Sequence, residues 1–294
     1  MKNICLIAGI IVVLVTLLII LCVYYNKALK CVYYRIPKEG IPRDFLGSKI
    51  VLLTDLHESE FGKNNRRLIE KIDKEHPDYI MIAGDMLVKG RKMKTDKTLY
   101  LLENLSKRYS IYYAPGNHEE YLEQLFENEE YKEFIQKLTK LGVKYLANDS
   151  AFLKKGNSQI AVTGLHLQKR YFAKFYEKVT FDVENMTELL GAPKGEYQIL
   201  LAHNPNYFDV YERWGADLVL SGHVHGGIVI LPFLGGVIST TYELFPKYDF
   251  GMFQEENARM VLSKGLGVHT IKLRLFNVPE ISVITLGEES TCEK

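Results

Sequence analysis

The chain has 294 residues, of which 47% are hydrophobic and 25% are charged, and its formal net charge is +1. This length and hydrophobic content allow a complete core in one or two domains. The near-neutral charge gives no global field that would attract a nucleic acid. The four cysteines show neither zinc-site spacing nor the pattern of a disulfide framework.

The chain opens with an apolar segment. Residues 4–25 carry no charged side chain and are numerous enough for one transmembrane helix. Tyr24 and Tyr25 fall where aromatic side chains commonly lie at a membrane interface. A cleaved signal peptide is the alternative, but it would have a shorter apolar core and a small-residue cleavage site, and neither is found in the sequence. We therefore predict an uncleaved, single-pass anchor to the cell membrane over residues 1–25.

The charges that flank this segment bear on its orientation. Lys2 and the amino terminus lie on one side, and Lys27, Lys30 and Arg35 lie on the other. Because positive charge is enriched on the cytoplasmic side of membrane segments, this count favours a cytoplasmic domain. A signal anchor that places the domain outside the membrane stays open.

A polar stretch separates the anchor from the first patterned region. Residues 26–48 are interrupted by Pro37, Gly40 and Pro42, and we predict that they form a tether. From residue 49 onward, short apolar runs alternate with amphipathic segments, which predicts βαβ units with largely parallel strands. The apolar runs are residues 49–54, 79–83, 111–114, 198–202 and 218–221. The candidate helices are residues 63–75, 98–108, 121–141 and 206–214.

The pattern changes after His225. Residues 228–231, 237–240, 260–263 and 281–286 are strand-like, and no convincing helix lies between them. An α/β N-terminal part followed by a β-rich C-terminal part predicts two sheets that pack face to face with helices outside. Residues 289–294 are predicted to be a short tail.

Side chains that can bind metal ions follow all five apolar runs. They are Asp55, His57, Asp85, Asn117, His118, His203, His223 and His225. Because ligand sites of open α/β sheets lie beyond the carboxyl ends of the strands, we expect these side chains to meet at one edge. Nitrogen and oxygen ligands of this kind suit Mn, Fe or Zn better than calcium. Gly84, Gly116 and Gly222 lie beside these positions, where a Cβ would obstruct the turns.

Each motif alone also has a structural explanation. An aspartate after a strand is commonly a turn or helix N-cap residue, and His203 is also compatible with a plain strand end. The ordered set of five motifs favours a site. His76 and His269 are interpreted as structural, whereas His166 stays open between a structural role and a substrate contact.

The ordered motifs D-x-H, G-D, G-N-H-E, H and G-H-x-H resemble those of the calcineurin-like metallophosphoesterases, over residues 49–286. The stretches GHVHGG (222–227), SKGLG (263–267) and PEISVITL (279–286) further resemble the membrane-anchored branch that includes UDP-2,3-diacylglucosamine pyrophosphatases. The resemblance implies a four-layer α/β/β/α sandwich, with residues 49–288 as the metallophosphoesterase domain.

The same resemblance implies two metal ions and a role for each candidate residue. It makes Asp55, His57, Asp85 and His225 ligands of the first ion, and Asp85, Asn117, His203 and His223 ligands of the second. Asp85 would bridge the two ions, and a hydroxide between them would be the nucleophile. His118 would be a catalytic residue that contacts the phosphate and protonates the leaving oxygen.

The sequence departs from the family's pattern in three places. The run Met86-Leu87-Val88 lacks a further acidic residue, Glu119 stands where aspartate is commoner, and Gly164-Leu165-His166 stands where acidic residues are frequent. None of these departures removes a predicted metal ligand. The last one bears on substrate contacts.

A basic aromatic stretch over residues 169–179 has two interpretations. A helix of this composition can lie at a membrane surface. The alternative, which we favour, is that its aromatic face packs on the sandwich.

The sequence thus predicts a membrane-anchored phosphoesterase or pyrophosphatase with two metal ions and a lipid-linked substrate such as UDP-2,3-diacylglucosamine. Alternatives are a protein or small-molecule phosphatase that is only tethered to the membrane, and a non-catalytic binding scaffold.

Overall fold

The computed structural model describes residues 2–125, 129–174, 177, 179–227, 229–231, 233–240, 242–268 and 274–287. The helices in these ranges are α1 (Lys2–Lys27), α2 (Arg66–Glu75), α3 (Asp96–Ser106), α4 (Asn117–Leu125), α5 (Glu130–Lys140), α6 (Val183–Leu190) and α7 (Phe208–Trp214). The first strands are β1 (Lys30–Ile36), β2 (Lys49–Leu53), β3 (Tyr79–Ala83), β4 (Ser110–Ala114), β5 (Lys144–Tyr145), β6 (Asp149–Lys155) and β7 (Ser158–Leu165). The later strands are β8 (Gln198–Ala202), β9 (Leu218–Ser221), β10 (Ile230–Leu231), β11 (Gly235–Gly236), β12 (Gly251–Glu255), β13 (Ala258–Leu262) and β14 (Glu280–Leu286).

The strands form two six-stranded sheets and one short hairpin. The first sheet has the order β1-β14-β2-β3-β4-β5, and the second has the order β12-β13-β9-β8-β7-β6. In the first sheet, β2 to β5 run parallel, and in the second, β7, β8, β9 and β13 run parallel. The predicted largely parallel pairing is therefore confirmed for the central strands.

The apolar runs are buried on both faces. In β2, Ile50 and Leu52 pack between the two sheets, whereas Val51 and Leu53 pack under the helices of the first sheet. This alternation follows from the period of two along a strand, and it explains why the run is continuously apolar. A third cluster packs α6 and α7 on the outside of the second sheet. The predicted four-layer α/β/β/α sandwich is confirmed.

The N-terminal helix lies mostly outside this sandwich. The most apolar 18-residue window within Leu6–Lys27 of α1 has a mean hydropathy of 3.4, and the helix is long and apolar enough to cross a membrane. Its end nevertheless contacts the domain. The Tyr25 and Phe276 rings lie 5.7 Å apart, and Arg67 Nη1 donates a hydrogen bond to the Lys27 carbonyl oxygen at 3.3 Å.

The segment expected to be a tether is partly built into the first sheet. Strand β1 pairs in parallel with β14, with Lys30 beside Glu280 and Ile36 beside Leu286. The structure differs here from the expectation for residues 26–48. The prolines and Gly40 come after β1 and do not interrupt it. The strand was not predicted because charged residues lie near its two ends and tyrosines lie within it.

Several helix predictions need correction. The single helix expected over residues 121–141 is two helices, α4 and α5, on either side of residues 126–128, which lie outside the described ranges. The helix considered over residues 169–179 is a 3-10 turn at Lys169–Phe172 followed by extended backbone at Ala173. Phe175, Tyr176 and Lys178 of that stretch lie outside the described ranges.

Other elements were not anticipated. Helix α6 begins with a capping box in which the Asp182 side chain and Asn185 satisfy each other's backbone N–H groups, a start signal that was present in the sequence. Strands β6, β7 and β12 were also missed. Residues 237–240 do not form the expected strand, since Ile238 makes only an isolated antiparallel bridge to Leu244. His269 and the tail 289–294 lie outside the described ranges.

Candidate metal centre

The predicted ligands all lie at one edge of the sandwich. Asp55 and His57 follow β2, Asp85 follows β3, Asn117 and His118 begin α4 after β4, His203 follows β8, and His223 and His225 follow β9. Except for the half-buried Asn117, these residues are buried, with at most 8% of any of them exposed. Because β2, β3 and β4 run parallel, as do β8 and β9, their carboxyl ends bring the side chains together.

The backbone at these positions is unusual. Five of the seven predicted ligands have positive φ angles, namely Asp55 (52°), His57 (47°), Asp85 (54°), His223 (75°) and His225 (53°). A left-handed conformation is uncommon for residues other than glycine, and each instance costs about 1–3 kcal/mol. Such positions concentrate at functional sites, where the surrounding structure holds them.

Three glycines allow the loops to approach each other. A Cβ on Gly116 would collide with the Asp85 carboxylate, and one on Gly222 would collide with the Thr54 hydroxyl. A Cβ on Gly84 would lie 2.6 Å from Gly116, and Gly84 also has a φ of 83°. The expectation that a Cβ would obstruct these turns is therefore confirmed.

The ligand atoms form overlapping groups. In each of the sets Asp55–His57–His225, His57–Asp85–His118 and Asp85–His203–His223, all ligand atoms lie within 4.8 Å of one another. His225 Nε2 is 3.3 Å from Asp55 Oδ1, and His203 Nε2 is 3.1 Å from Asp85 Oδ2. Such spacing between nitrogen and oxygen donors suits transition-metal ions.

Hydrogen bonds distinguish His118 from two of the other histidines. The Nδ1 atoms of His57 and His203 lie 3.2 Å and 2.6 Å from the carbonyl oxygens of Leu87 and Ala83. Since a carbonyl only accepts, each Nδ1 carries the proton and each neutral ring presents the Nε2 lone pair to the site. His118 Nδ1 instead accepts from the Lys89 N–H at 2.9 Å, so the neutral His118 ring presents an Nε2–H donor.

The site is electrostatically crowded. Burial raises the pKa of Asp55 to about 6, and the neighbouring Asp85 carboxylate adds to this. Burial also opposes the charge of Asp85, but the imidazoles of His203, His118 and His57 hold its pKa well below the usual range. For His203, the carboxylate of Asp85 outweighs burial and raises the pKa to about 9. Two buried carboxylates among imidazoles are an environment that favours a bound cation.

One buried atom gives an independent check that metal ions fit. The Asn117 Oδ1 atom is buried and has no hydrogen-bond partner among the residues that the structure describes. A buried polar atom without a partner is costly, and a carbonyl oxygen can donate its lone pair to a metal ion instead. The donor set and this atom together fit bound metal ions.

Glu119, which appeared only as a departure from the family's pattern, supports the site. Its buried carboxylate accepts four hydrogen bonds, from Asp85 N–H, Leu87 N–H, Gly116 N–H and the Tyr113 hydroxyl, at 2.7–2.9 Å. Burial raises the pKa of Glu119 to about 7, and the Asp85 charge raises it further while the hydrogen bonds lower it. Glu119 therefore fixes the loop that carries Asp85.

A second support was missed entirely. Arg274 is buried and donates to the carbonyl oxygens of Lys264 and Gly267 at 2.9 and 2.8 Å, while Asn277 donates to the His225 carbonyl oxygen at 2.7 Å. Arg274 also donates to Asn277 Oδ1 at 3.1 Å. No metal-binding motif includes these two residues, so their role could not be predicted from the sequence.

The loop that Arg274 holds contacts Asp55. The Gly267 N–H donates to the Asp55 carbonyl oxygen at 2.6 Å, and a Cβ on Gly265 would collide with the Asp55 side chain. We call Arg274 and Asn277 the clamp, because they hold the loop behind Asp55 and the loop that carries His225.

A cleft of about 820 Å³ opens above the ligands. Four basic side chains line it, those of Lys89, Lys169, Arg170 and Lys174, together with Asp85 and His118 at its floor. The Phe172 ring lies over His223, with centroids 5.2 Å apart, while Tyr171 is buried. For these two aromatic residues, the favoured interpretation of packing on the sandwich holds, and Lys169, Arg170 and Lys174 of the same stretch line the cleft.

Two other histidines lie outside the ligand groups. His166 Nε2 lies 3.5 Å from Glu123 Oε2, and burial lowers the pKa of His166. His76 ends α2 in a left-handed conformation, as expected for a helix end.

The fold and the ligand arrangement define a metal-dependent phosphoester hydrolase domain. The calcineurin-like phosphoesterase family matches residues 48–227, and the chain belongs to this family.

Relatives agree with this placement. An uncharacterized metallophosphoesterase of Campylobacter jejuni is 31% identical over 270 residues, which cover 89% of this chain and 65% of that protein. A Bacillus subtilis metallophosphoesterase is 27% identical, covering 84% of this chain and 81% of that protein. A zebrafish (Danio rerio) "transmembrane protein with metallophosphoesterase domain" is 26% identical, covering 88% and 57%. The chain thus spans less than two thirds of the Campylobacter and zebrafish relatives.

Proposed function

We propose that this protein is a membrane-anchored phosphoesterase or pyrophosphatase that uses two metal ions and acts on a lipid-linked phosphate. The observation that carries the proposal is the pairing of two groups of buried ligands beneath a cleft with four basic side chains. A binding scaffold that had lost its metals would have no reason to keep five ligands in strained backbone conformations.

The ligand groups divide between two ions. Asp55, His57 and His225 would hold one ion, Asn117, His203 and His223 would hold the other, and Asp85 would serve both. Bound metal ions would polarise a phosphoryl oxygen and lower the pKa of an attacking water. With nitrogen and carboxylate donors, Mn, Fe or Zn is the expected occupant.

His118 has a separate role in the proposal. Its Nε2 lies 3.8 Å from Asp85 Oδ2, at the floor of the cleft, and carries the proton of the neutral ring. It can therefore donate a hydrogen bond to a phosphoryl oxygen and pass the proton to the leaving oxygen. The Lys89 N–H holds the ring in this tautomer.

The lining of the cleft supports a phosphorylated, partly apolar substrate. Lys89, Lys169 and Arg170 complement negative charge, whereas Phe172 and Tyr242 give the same cleft apolar surface. A lipid-linked pyrophosphate such as UDP-2,3-diacylglucosamine combines both properties. Helix α1 would hold the cleft at the membrane that contains such a substrate, and the flanking charges favour the cytoplasmic side.

Metal analysis and a substrate panel test the proposal. The full-length protein should bind two transition-metal ions per chain and hydrolyse at least one of bis-(p-nitrophenyl) phosphate, p-nitrophenyl phosphate and UDP-2,3-diacylglucosamine. Activity should disappear with a chelator and return with Mn, Fe or Zn. A fully metal-loaded protein that hydrolyses none of the three would overturn the enzymatic proposal. Preference for the soluble esters over the lipid would instead favour a phosphatase that is only tethered to the membrane.

A further inference from the structure

The edge of the sandwich that carries the ligands is also the edge at which the anchor enters. Helix α1 ends at Lys27, and β1 begins at Lys30 beside Glu280, the first residue of β14. Because β14 runs antiparallel to β2, its first residue lies at the end of β2 that leads to Asp55. The anchor and the metal centre are therefore on the same edge, and the opposite edge carries Ile36 and Leu286.

An apolar patch lies on this edge. We define it by four residues of the segment that contains β10 and β11, Phe233, Leu234, Leu244 and Phe245, together with Phe276, all of which are exposed. Phe233 is fully exposed at the tip of the hairpin, and Leu234 and Leu244 are each 65% exposed. Several large apolar side chains exposed on one segment are typical of an interaction site on a folded protein.

The patch is continuous with the end of the anchor. Val229 pairs with Leu275, and the Ile230 N–H donates to the Leu275 carbonyl oxygen at 3.2 Å, so the hairpin starts beside Phe276. The Phe276 ring in turn contacts Tyr25, near the end of α1. The start of the hairpin is therefore linked, through the Phe276 and Tyr25 side chains, to the end of α1, where the helix would leave the hydrocarbon core of the bilayer.

The patch is also continuous with the cleft. Thr240 and Tyr242 line the cleft, and they lie in the same segment, between β11 and Leu244. The Lys174 ammonium lies 5.5 Å from the centre of the Tyr242 ring. One part of this segment thus borders the cleft, and Phe233 at the tip of its hairpin is fully exposed.

We infer that the patch inserts into the interfacial layer of the same bilayer that α1 spans, so that the cleft opens at the level of the lipid headgroups. This rests on the proposed membrane anchoring. Aromatic and aliphatic side chains on a short hairpin are stabilised at that depth because their apolar surface leaves water. The lysines and arginine of the cleft remain among anionic headgroups. A lipid-linked phosphate would then reach the ligands without leaving the membrane.

Tryptophan quenching in vesicles tests the inference. The full-length protein is reconstituted in phosphatidylcholine vesicles with and without brominated acyl chains, as the Phe233→Trp, Leu46→Trp and Leu14→Trp variants. Leu46 is the matched control, since it is 40% exposed and lies beside Gly287 at the opposite edge. Leu14 lies in the middle of α1. The unsubstituted protein, whose single tryptophan is the buried Trp214, gives the baseline.

Strong quenching at positions 14 and 233, with position 46 at the baseline, is the expected result. If position 14 is quenched and position 233 behaves like position 46, α1 is in the membrane and the inference about the patch is wrong. If position 14 is not quenched, the membrane anchoring itself is wrong and the inference falls with it. A blue-shifted but unquenched tryptophan at position 233 would show that protein, not lipid, covers the patch. None of these outcomes depends on hydrolysis, so the enzymatic proposal is tested separately.

Discussion

The two halves of the candidate metal centre are supported in different ways. The Asp85 half is fixed by Glu119, which belongs to the same short motif as Asn117 and His118. The Asp55 half is fixed by the clamp, Arg274 and Asn277, from the far end of the chain. Both groups of ligands have equally clear motifs. One group is nevertheless held by a residue close in sequence, and the other is held by residues that are distant in sequence.

Loss of the residue common to both halves should have the largest effect. In Asp85→Asn, one carboxylate is removed from both proposed ions, and we expect near-complete loss of hydrolysis together with lower metal content. Metal analysis and turnover on bis-(p-nitrophenyl) phosphate measure both. The exposed surface change Asp209→Asn, which only disturbs an ion pair with Arg213, is the control. Normal turnover with two bound ions would refute a shared ligand.

His118→Ala should separate chemistry from metal binding. We expect turnover to fall by roughly 10²–10⁴ because a general acid is lost, while the metal content stays at two ions because His118 presents a proton donor to the site. The exposed His76→Ala is the matched control. Loss of an ion in His118→Ala would place His118 among the ligands.

Glu119→Ala should weaken the ion of the Asp85–His203–His223 group more than the other ion, because Glu119 fixes both the shared Asp85 and Gly116, which precedes Asn117. It leaves the buried N–H groups of Asp85, Leu87 and Gly116 without an acceptor, at a cost of about 1–3 kcal/mol for each group that finds no water. We expect the affinity for the ion of the Asp85–His203–His223 group to fall about 10–100-fold. Equilibrium metal titration, compared with the exposed Glu133→Ala variant, measures the change. Equal weakening of both ions would mean that the halves are not separately supported.

Asn277→Ala should lower the affinity for the ion of the other group, Asp55–His57–His225, and by a smaller factor. The His225 and Gly227 carbonyl oxygens each lose one donor, but Arg274 still holds the loop behind Asp55. We expect about a tenfold weaker affinity for the ion of the Asp55–His57–His225 group, seen in the same titration. The half-buried Asn104→Ala, which removes only a hydrogen bond to the Tyr100 carbonyl oxygen within α3, is the control. A lower affinity only for the ion of the Asp85–His203–His223 group would show that the clamp supports that group instead.

Removal of the anchor should affect the metal centre least. A chain that begins at residue 28 keeps β1, and we expect unchanged turnover on a soluble phosphodiester but a much lower rate on a lipid substrate in vesicles, because the local concentration at the bilayer is lost. A chain that begins at residue 37 also lacks β1 and should have a lower melting temperature. Equal stability of the two truncated chains would show that β1 contributes nothing to the fold.

The sequence predicted the layers and the ligand set because both depend on local patterns. An apolar run such as β2 must be buried on both faces, and Asp55 and His57 follow it directly. The structure brings all eight predicted site residues to one edge, while their roles at the metal ions remain proposals. Glu119 was visible but its four hydrogen bonds were not, because they join four separate positions of the chain.

Long-range pairing explains what could not be predicted. Strand β1 is a strand because β14 lies beside it, and Arg274 is buried because three carbonyl oxygens converge on its guanidinium. The partner of β1 is distant in sequence, the carbonyl partners of Arg274 are seven to ten residues away, and neither β1 nor Arg274 has a period or motif of its own. The 3-10 turn at Lys169–Phe172 was mistaken for a helix because aromatic spacing alone does not set helix length.

The pairing of β1 with β14 has a consequence for biosynthesis. The ribosome makes β1 long before β14, so the first sheet stays open at this edge until β14 has been synthesised. If α1 is a membrane anchor, as proposed, β1 would wait at the bilayer for its partner strand to emerge. A nascent chain stalled before residue 280 should therefore remain protease-sensitive at residues 30–36, and a chain in which β14 has emerged should be protected there.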